Sequence, residues 1–501
     1  MKRFLIRSGI SPLDLFDAPT IIARDAIGSN VGNLLYAYSI YRNLWTEDTE
    51  IIPDYYRIDP DDADHINETY DGYLIPLADA FRETFRRQLK QYTKLIKRLK
   101  IPVYIIGVGL RAPYEPDLKA GFPFDTDVKN FVKAVLEKTG QIGLRGEITS
   151  AYLTQLGFQA GVDHQVIGCP SMYTFGKNLT IKDITLNEHT KIFTNLAPIA
   201  PQPVVDFMRH GLQNYPDVTF IPQDIDELTL TYSGGTYLNG PSLGKELRNY
   251  PNNLESPEYR SGKVRFFLSA PSWIKAMKMA DLSIGTRLHG NVAAAIAGTP
   301  GIIFPADARM RELSEFHGLT TYQADAIDEN TTLSDILEQV DIHSPERKQA
   351  ANFANFEAFL DKNQLSHIDF DSTEAAPLDK KLESVQLLPP VEPLVNCEKQ
   401  EILQRLEANY PALKARNKTI QDRSAKTTKQ LRKAKNELQT QKTEWESEKV
   451  ELEAKLLRAK QVNQRLKAKL TAKNKKIRNQ RVTLNRRSVK LALRIADQFR
   501  K

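Results

Sequence analysis

Cysteine is nearly absent. Cys169 and Cys397 are the only two in 501 residues, too few and too far apart for a disulfide framework. Long apolar runs are missing as well: no stretch reaches the roughly 20 residues that a membrane-spanning helix needs. At the N-terminus, Arg7 and Asp14 interrupt the apolar stretch on which a secretory signal depends. The expectation is therefore a cytoplasmic protein, in which the N-x-Thr patterns at Asn67, Asn178, Asn330 and Asn417 are chance matches. The P-loop pattern G-x-x-x-x-G-K-S/T, the zinc pattern H-E-x-x-H and paired C-x-x-C motifs do not occur. Asp59, Asp61, Asp62 and Asp64 cluster in loop-like sequence without a strand anchor, so a solvated turn is expected there and no metal site.

What is present is 41% hydrophobic and 26% charged, a composition with enough apolar material for more than one core. Charge is unevenly shared. Residues 398–501 hold 30 basic and 11 acidic side chains, a balance of +19, and the remainder carries −12. The acidic body alternates apolar, β-rich runs with amphipathic stretches. The runs are Ile101–Val108, Gln141–Gly143, His164–Ile167, Lys191–Leu196, Val218–Pro222, Leu282–Gly285 and Thr299–Pro305. Asp125–Lys138, Ile148–Leu156 and residues 346–362 have helical periodicity. Such alternation predicts an α/β fold of parallel sheets covered by helices. We expect two Rossmann-like domains, 1–185 and 186–365, then a linker at 366–397 rich in proline, and a basic helical coiled-coil tail at 398–501. Residues 241–262 read as a loop or lid within the second domain.

In the tail, Leu431, Leu438, Trp445, Leu452, Ala459 and Leu466 recur every seven residues. Four residues on, a second seam runs through Lys435, Lys442 and Lys449 to Leu456, Asn463, Leu470 and Ile477. A sustained heptad predicts a coiled coil and hence a homo-oligomer, with Asn463 able to set register. Beyond Lys473 the basic density rises, and Leu484–Phe499 is amphipathic, which suits contact with acidic lipid, nucleic acid or the acidic body. Nucleic acid is the least expected of these, because the body lacks interleaved basic and aromatic residues.

Candidate chemistry concentrates in Asp281-Leu-Ser-Ile-Gly-Thr-Arg-Leu-His-Gly290. It reads as a buried strand, a tight turn and an Ala-rich helix that Gly298 and Pro300 terminate. Strand ends beside helix N-termini are where open α/β sheets bind anions. Arg287 and His289 are two apart, so in extended backbone they share a face and offer a fixed cation beside a proton carrier. Other strand ends offer Arg145, in Gly143-Leu-Arg-Gly-Glu147, and Arg111, after Gly107-Val-Gly109. Arg145 pairs either with an oxyanion or with a nearby acid such as Glu147. Pro113 and Pro116 argue against a dinucleotide site at the second. Gly28, Asn30, Gly32 and Asn33 form a turn before an apolar helix, Leu34–Leu44, as a ligand loop or a plain connection. Asp307-Ala-Arg-Met-Arg-Glu-Leu313 either closes on substrate, Arg309 foremost, or is a charged helix start.

Together these segments resemble the polysaccharide pyruvyl transferase family. The likeness runs through Gly28-Ser-Asn-Val-Gly-Asn33, Gly107-Val-Gly109, Gly143-Leu-Arg-Gly-Glu147, Gly168-Cys-Pro170, Ile284-Gly-Thr-Arg-Leu-His-Gly290 and Asp307-Ala-Arg-Met-Arg-Glu-Leu313. Cys169 departs from the acidic residue the family often carries there. The resemblance implies a glycosyltransferase-B-like pair of domains with the site between them. It also implies transfer of pyruvate from phosphoenolpyruvate to two hydroxyls of a sugar, giving a cyclic ketal and phosphate. Such chemistry needs one general acid and anion-binding cations, with no metal or cofactor. His289 is the expected acid and Arg287 the anion clamp, and Arg145, Asn30, Asn33, Arg309 and Arg111 are the expected substrate contacts. A sugar or glycan acceptor is the expected partner, with peripheral docking through the tail to the inner face of the membrane or to polysaccharide-synthesis proteins. Two rivals remain: a nucleotide-sugar glycosyltransferase, and a non-catalytic coiled-coil scaffold.

Overall fold

A computed structural model describes residues 1–235 and 247–500, apart from some side chains between 423 and 437. The chain divides into two compact units, Met1–Asn417 and Lys418–Lys501. Residues 241–246 of the expected loop or lid lie outside the described residues, as does the side chain of Leu431.

The first unit holds two parallel sheets. Strands β1 (Lys2–Ile6), β2 (Thr49–Pro53), β3 (Gly72–Ile75) and β4 (Val103–Ile105) lie in the order β2-β1-β3-β4. A parallel bridge from Val108 to Leu144 leads on to the pair β5 (Ile142–Leu144) and β6 (His164–Val166). The second sheet contains β7 (Ile192–Asn195), β8 (Val218–Phe220), β9 (Leu282–Gly285) and β10 (Gly301–Ile303), in the order β8-β7-β9-β10. Both sheets therefore follow one doubly wound order, in which the chain reverses direction between the first and third strand. The seven pairings between the named strands all run parallel, from Ile6↔Leu74 and Ile75↔Ile105 in the first sheet to Asn195↔Gly285 in the second.

The seven strand-like runs of the sequence all contain a strand, because parallel strands covered on both faces read as continuous apolar runs. β1, β2 and β3 escaped that reading. Lys2 and Arg3 open β1, edge strand β2 alternates buried with half-buried residues, and Gly72 begins β3. The Gly32–Leu44 helix is buried on nearly every side, so it reads as apolar throughout. Its tyrosines, Tyr36, Tyr38 and Tyr41, are all buried.

Residues 366–397, expected as a linker, are bound along the body instead. Ile368 N donates to Asn43 O, Arg42 pairs with Asp379 at 2.7 Å, and Val391 bridges antiparallel to Phe266. Isolated apolar residues, Leu378 and Val391 among them, are buried one at a time, which leaves no periodicity for a sequence reading to detect. At the C-terminal side, one helix spans Lys399–Leu484 and a second spans Arg487–Gln498. No helix among the described residues is long and apolar enough to cross a membrane.

Candidate functional site

The chemistry-bearing residues gather beyond the carboxyl ends of the parallel strands, where backbone amides and helix N-termini favour anions. Asp79 follows β3, Arg111 follows β4, Arg145 follows β5, Arg287 and His289 follow β9, and Arg309 follows β10.

Arg287 is the N-cap of the Leu288–Ile296 helix, with extended backbone (φ −97°, ψ 112°), and His289 already lies in the first turn. The two side chains therefore do not share a face as extended spacing predicted: the helix begins between them. Arg287 is committed to structure. Its Nε donates to Leu196 O at 2.9 Å, Nη1 and Nη2 grip both oxygens of Asp224, and Nη2 stands 3.6 Å from Glu227. Burial pushes the Glu227 carboxyl up to about 7, against the pull of Arg287. The expected anion clamp thus already holds two carboxylates that follow β8. Arg287→Met should lower unfolding stability by about 3–5 kcal/mol, since it leaves the buried Glu227 and the half-buried Asp224 without their cation. Chemical denaturation at pH 8 measures this, and a loss under 1 kcal/mol would show the pairing to be incidental.

Asn30 and Asn33 likewise serve the fold. Asn30 Nδ2 donates to Asp224 at 2.8 Å and its Oδ1 accepts from Gly32 N at 2.8 Å. With Val31 N to Gln223 O and Ile225 N to Ser29 O, this clasps the turn before the Gly32–Leu44 helix onto the segment that follows β8. Asn33 Nδ2 donates to the carbonyls of Ile27 and Gly28, holding that turn closed around Gly28 (φ 57°).

His289 sits against the start of the same helix. A Cβ at Gly32 would lie 2.5 Å from His289 Nδ1 and 2.8 Å from Asn30 Oδ1, so only glycine lets the imidazole approach. Gly32→Ala should displace the ring and cost about 100-fold in kcat, as misplacement of a reacting group by an ångström does. The same change favours the helix, so unfolding stability should move by no more than about 1–2 kcal/mol. Steady-state kinetics beside thermal unfolding separates these effects, and unchanged kcat would mean the ring's position is immaterial.

The cations are arranged around Asp79, a residue that sequence reasoning missed. Its carboxylate accepts from Arg82 and lies 3.4 Å from Arg309 and 3.5 Å from Arg111. Burial, which alone would raise its pKa, is overcome by Arg309, Arg82, Arg111 and Arg145, leaving it well below the usual carboxylate range. Three guanidiniums on one acid leave a positive excess. Arg309 also reaches Asp307 at 3.3 Å, while Arg111 is more exposed, at 43% of its side chain.

Arg145 is wholly buried and does not pair with Glu147. Its Nε donates to Gly107 O at 3.2 Å, Nη2 lies 3.9 Å from Cys169 Sγ, and the guanidinium stacks 4.8 Å above the Tyr36 ring. Tyr36, a second unanticipated residue, donates to the carbonyls of Ile106 and Gly107. Glu312 closes the far side. Thr149 N and Oγ1 donate to it at 2.9 and 2.8 Å, and burial pushes its carboxyl up to about 7. Gly146 allows the contact, because a Cβ there would meet Glu312 at 2.6 Å. Arg311 faces outward to Glu315 at 2.8 Å, as in an ordinary charged helix.

Three buried nitrogen atoms in this region have no hydrogen-bond partner: Arg145 Nη1, Arg309 Nε and His289 Nε2. Burial first, then the charges of Arg145 and Arg309, press the His289 pKa well below 6.5, with Asp79 opposing. A buried polar group left unpaired costs about 1–3 kcal/mol, so two guanidinium donors beside an imidazole nitrogen in one electrostatic neighbourhood suit an acceptor. The arrangement suits an anion with several oxygens. No cluster of three or more metal-ligating side chains occurs among the described residues. A cavity of about 400 Å³ lined by Arg42, Phe175, His367 and Phe370 opens at the other end of the Gly32–Leu44 helix, and none of the expected site residues lines it.

Comparison with known proteins places this geometry in context. A family model described as polysaccharide pyruvyl transferase matches residues 30–307, more than half of the chain and the span from Asn30 to Asp307. No curated protein sequence matches. Among solved structures, UDP-GlcNAc 2-epimerase from Neisseria meningitidis bound to UDP-GlcNAc is similar at 11% identity and a TM-score of 0.38, over 72% of this chain and 100% of that one. HepE from Anabaena in complex with UDP-glucose shows 13% identity and a TM-score of 0.35, over 72% and 95%. MurG from Acinetobacter baumannii shows 10% and 0.32, over 73% and 99%. Scores of this size have no bearing on the site or its chemistry.

Proposed function

Since the chain belongs to the polysaccharide pyruvyl transferase family, an enzyme family, we propose that it moves pyruvate from phosphoenolpyruvate onto two hydroxyls of one sugar in a glycan or polysaccharide precursor. The body acts as two Rossmann-like domains of glycosyltransferase-B type that face each other across the site. The observation that carries the proposal is the trio of unpartnered nitrogen atoms on Arg145, Arg309 and His289, set in a cationic excess around Asp79.

In this reading the donor's carboxylate and phosphate displace nothing. They satisfy Arg145 Nη1 and Arg309 Nε, with Arg111 at the more open side. His289 gives a proton to the methylene carbon, which becomes a methyl group, and positive charge develops on the adjoining carbon. One sugar hydroxyl attacks that carbon, phosphate departs, and a second hydroxyl closes the ketal. The reaction needs no cofactor beyond the donor itself. Asp79 positions the cations and stays ionised throughout. Arg287 acts at a distance, by locking the turn that presents His289.

An imidazole whose pKa is depressed must gain its proton with the substrate. A multiply charged anion beside it restores the charged form, so donor binding should take up close to one proton near pH 7. Affinity for phosphoenolpyruvate should accordingly strengthen as pH falls through the neutral range. Calorimetric titration in two buffers of different ionisation enthalpy reads this uptake directly, and a buffer-independent heat would remove His289 from the acid's role.

The reaction itself is tested by incubating the enzyme with phosphoenolpyruvate and candidate sugar acceptors in D₂O. Release of phosphate together with a product bearing a monodeuterated methyl group is the expected result. Nucleotide release from a sugar nucleotide, with phosphoenolpyruvate untouched, would instead establish a glycosyltransferase.

A further inference from the structure

The helix Lys399–Leu484 exposes a row of large apolar side chains: Leu438 (66%), Trp445 (61%), Leu452 (64%), Leu456 (57%), Leu466 (59%) and Leu470 (60%). They lie on two seams, three and four residues apart in alternation, the spacing that a partner helix covers. Water-exposed apolar area of this extent on a single helix is unfavourable, at roughly 25 cal/mol for every Å². What covers it is decided by the charged residues that flank the seams, for these meet their counterparts across a two-helix interface.

The flanks are divided by sign. Glu446, Glu448 and Glu453 stand in the N-terminal half of the seam, and Lys460, Lys467 and Lys469 in the C-terminal half. In a parallel pair each flanking residue meets the one five positions on in the second copy. That sets Glu448 against Glu453 and Lys455 against Lys460, each twice by symmetry. It also stacks Lys442 and Lys449 on their own counterparts inside the seam. In an antiparallel pair centred between Leu457 and Arg458 the like-charged flanks disappear and Lys449 no longer stacks on itself. Glu446 meets Lys467 of the second copy, Glu453 meets Lys460, and Glu448 meets Lys469, giving six complementary pairs in all. The core then layers Leu438 on Ile477, Trp445 on Leu470, and Leu456 on Ala459. Lys449, whose ammonium already lies 5.5 Å from the Trp445 ring centroid, faces Leu466. Sliding the copies by one heptad sets Glu453 on Glu453 and Lys455 on Lys455 in one direction, and Lys460 on Lys460 in the other.

We infer that this helix docks a second copy of the same chain, antiparallel, to form a homodimeric coiled coil centred between Leu457 and Arg458. Two layers oppose the arrangement: Asn463 against Leu452, and Lys442 against Lys473. A parallel pair would match Asn463 with Asn463, yet it would also hold the like-charged flanks and the stacked lysines. Flanking pairs contribute about 0.3–0.5 kcal/mol each, with either sign, so six attractive pairs in place of four repulsive ones favour the antiparallel arrangement over the two Asn463–Leu452 layers that symmetry gives it.

Three measurements on the full-length protein test this. Sedimentation velocity at micromolar concentration should give twice the chain mass. In a Cys397→Ser background, where Cys169 is buried, mild oxidation of mixed Leu452→Cys and Asn463→Cys chains should yield the mixed disulfide, and Leu452→Cys alone should yield none. Glu446→Lys, Glu448→Lys and Glu453→Lys together should weaken the dimer about tenfold or more at low salt. Adding Lys460→Glu, Lys467→Glu and Lys469→Glu to that variant should restore it. A monomer, a trimer, a disulfide between two copies of Leu452→Cys, or failure of the charge exchange to restore association would each overturn the inference.

Discussion

His289→Gln is expected to lower kcat by about 10²–10⁴, the contribution of a positioned general acid, while KM for phosphoenolpyruvate changes by less than about threefold. Glutamine keeps most of the ring's volume and offers a neutral donor, so the anion still finds a partner but the methylene carbon finds no proton. Steady-state kinetics over pH 5–9 checks this. A second, independent reading is stability. The folded state holds His289 neutral while the unfolded chain protonates it near pH 6.5, so stability is complete above that value and is lost as pH falls below it. Removing the imidazole should flatten that acid-side decline. A variant with full kcat would end the assignment, whatever its stability.

Arg145→Met carries the other large effect. Loss of its unpartnered nitrogen should cost about 2.7–4 kcal/mol of transition-state stabilisation, roughly 10²–10³ in kcat/KM for phosphoenolpyruvate. Stability should change by less than about 1.5 kcal/mol, because methionine fills similar space and a wholly buried charge is removed. Arg145→Lys should not rescue activity, since an ammonium cannot both stack on Tyr36 and reach Gly107 O. With that charge gone, the His289 pKa should rise and the pH profile should move toward higher pH. A collapse of stability with normal turnover in the remaining folded fraction would make Arg145 a structural residue only.

The strand-end turn at Thr286–Gly290 was legible because a buried β-run, a tight turn and a Gly-Thr-Pro terminator are all local signals. The roles of its two side chains were not. Arg287 and His289 look alike from spacing, yet the first is neutralised by Asp224, 63 residues away in the chain, and the second is set by Gly32, near the start of the chain. Asp79 gave no signal at all: a lone acid in Leu-Ala-Asp-Ala becomes the centre of the cationic group only when Arg111 and Arg309 arrive from β4 and β10. Residues 366–397 looked like a linker for the same reason, since Leu378 and Val391 are buried by partners remote in sequence.

Alternating apolar runs and helical periods are properties of neighbours along the chain, so the amino-acid order alone determined an α/β body, the positions of seven of its strands, the long basic helix and the identity of the family. Which guanidinium is left with an unpartnered nitrogen, which is paired with carboxylates, and how far the imidazole's pKa is depressed are set by charges and backbone brought together from β3, β4, β5, β9 and β10. Electrostatic energy depends on distance in space, and no pattern along the sequence carries that distance.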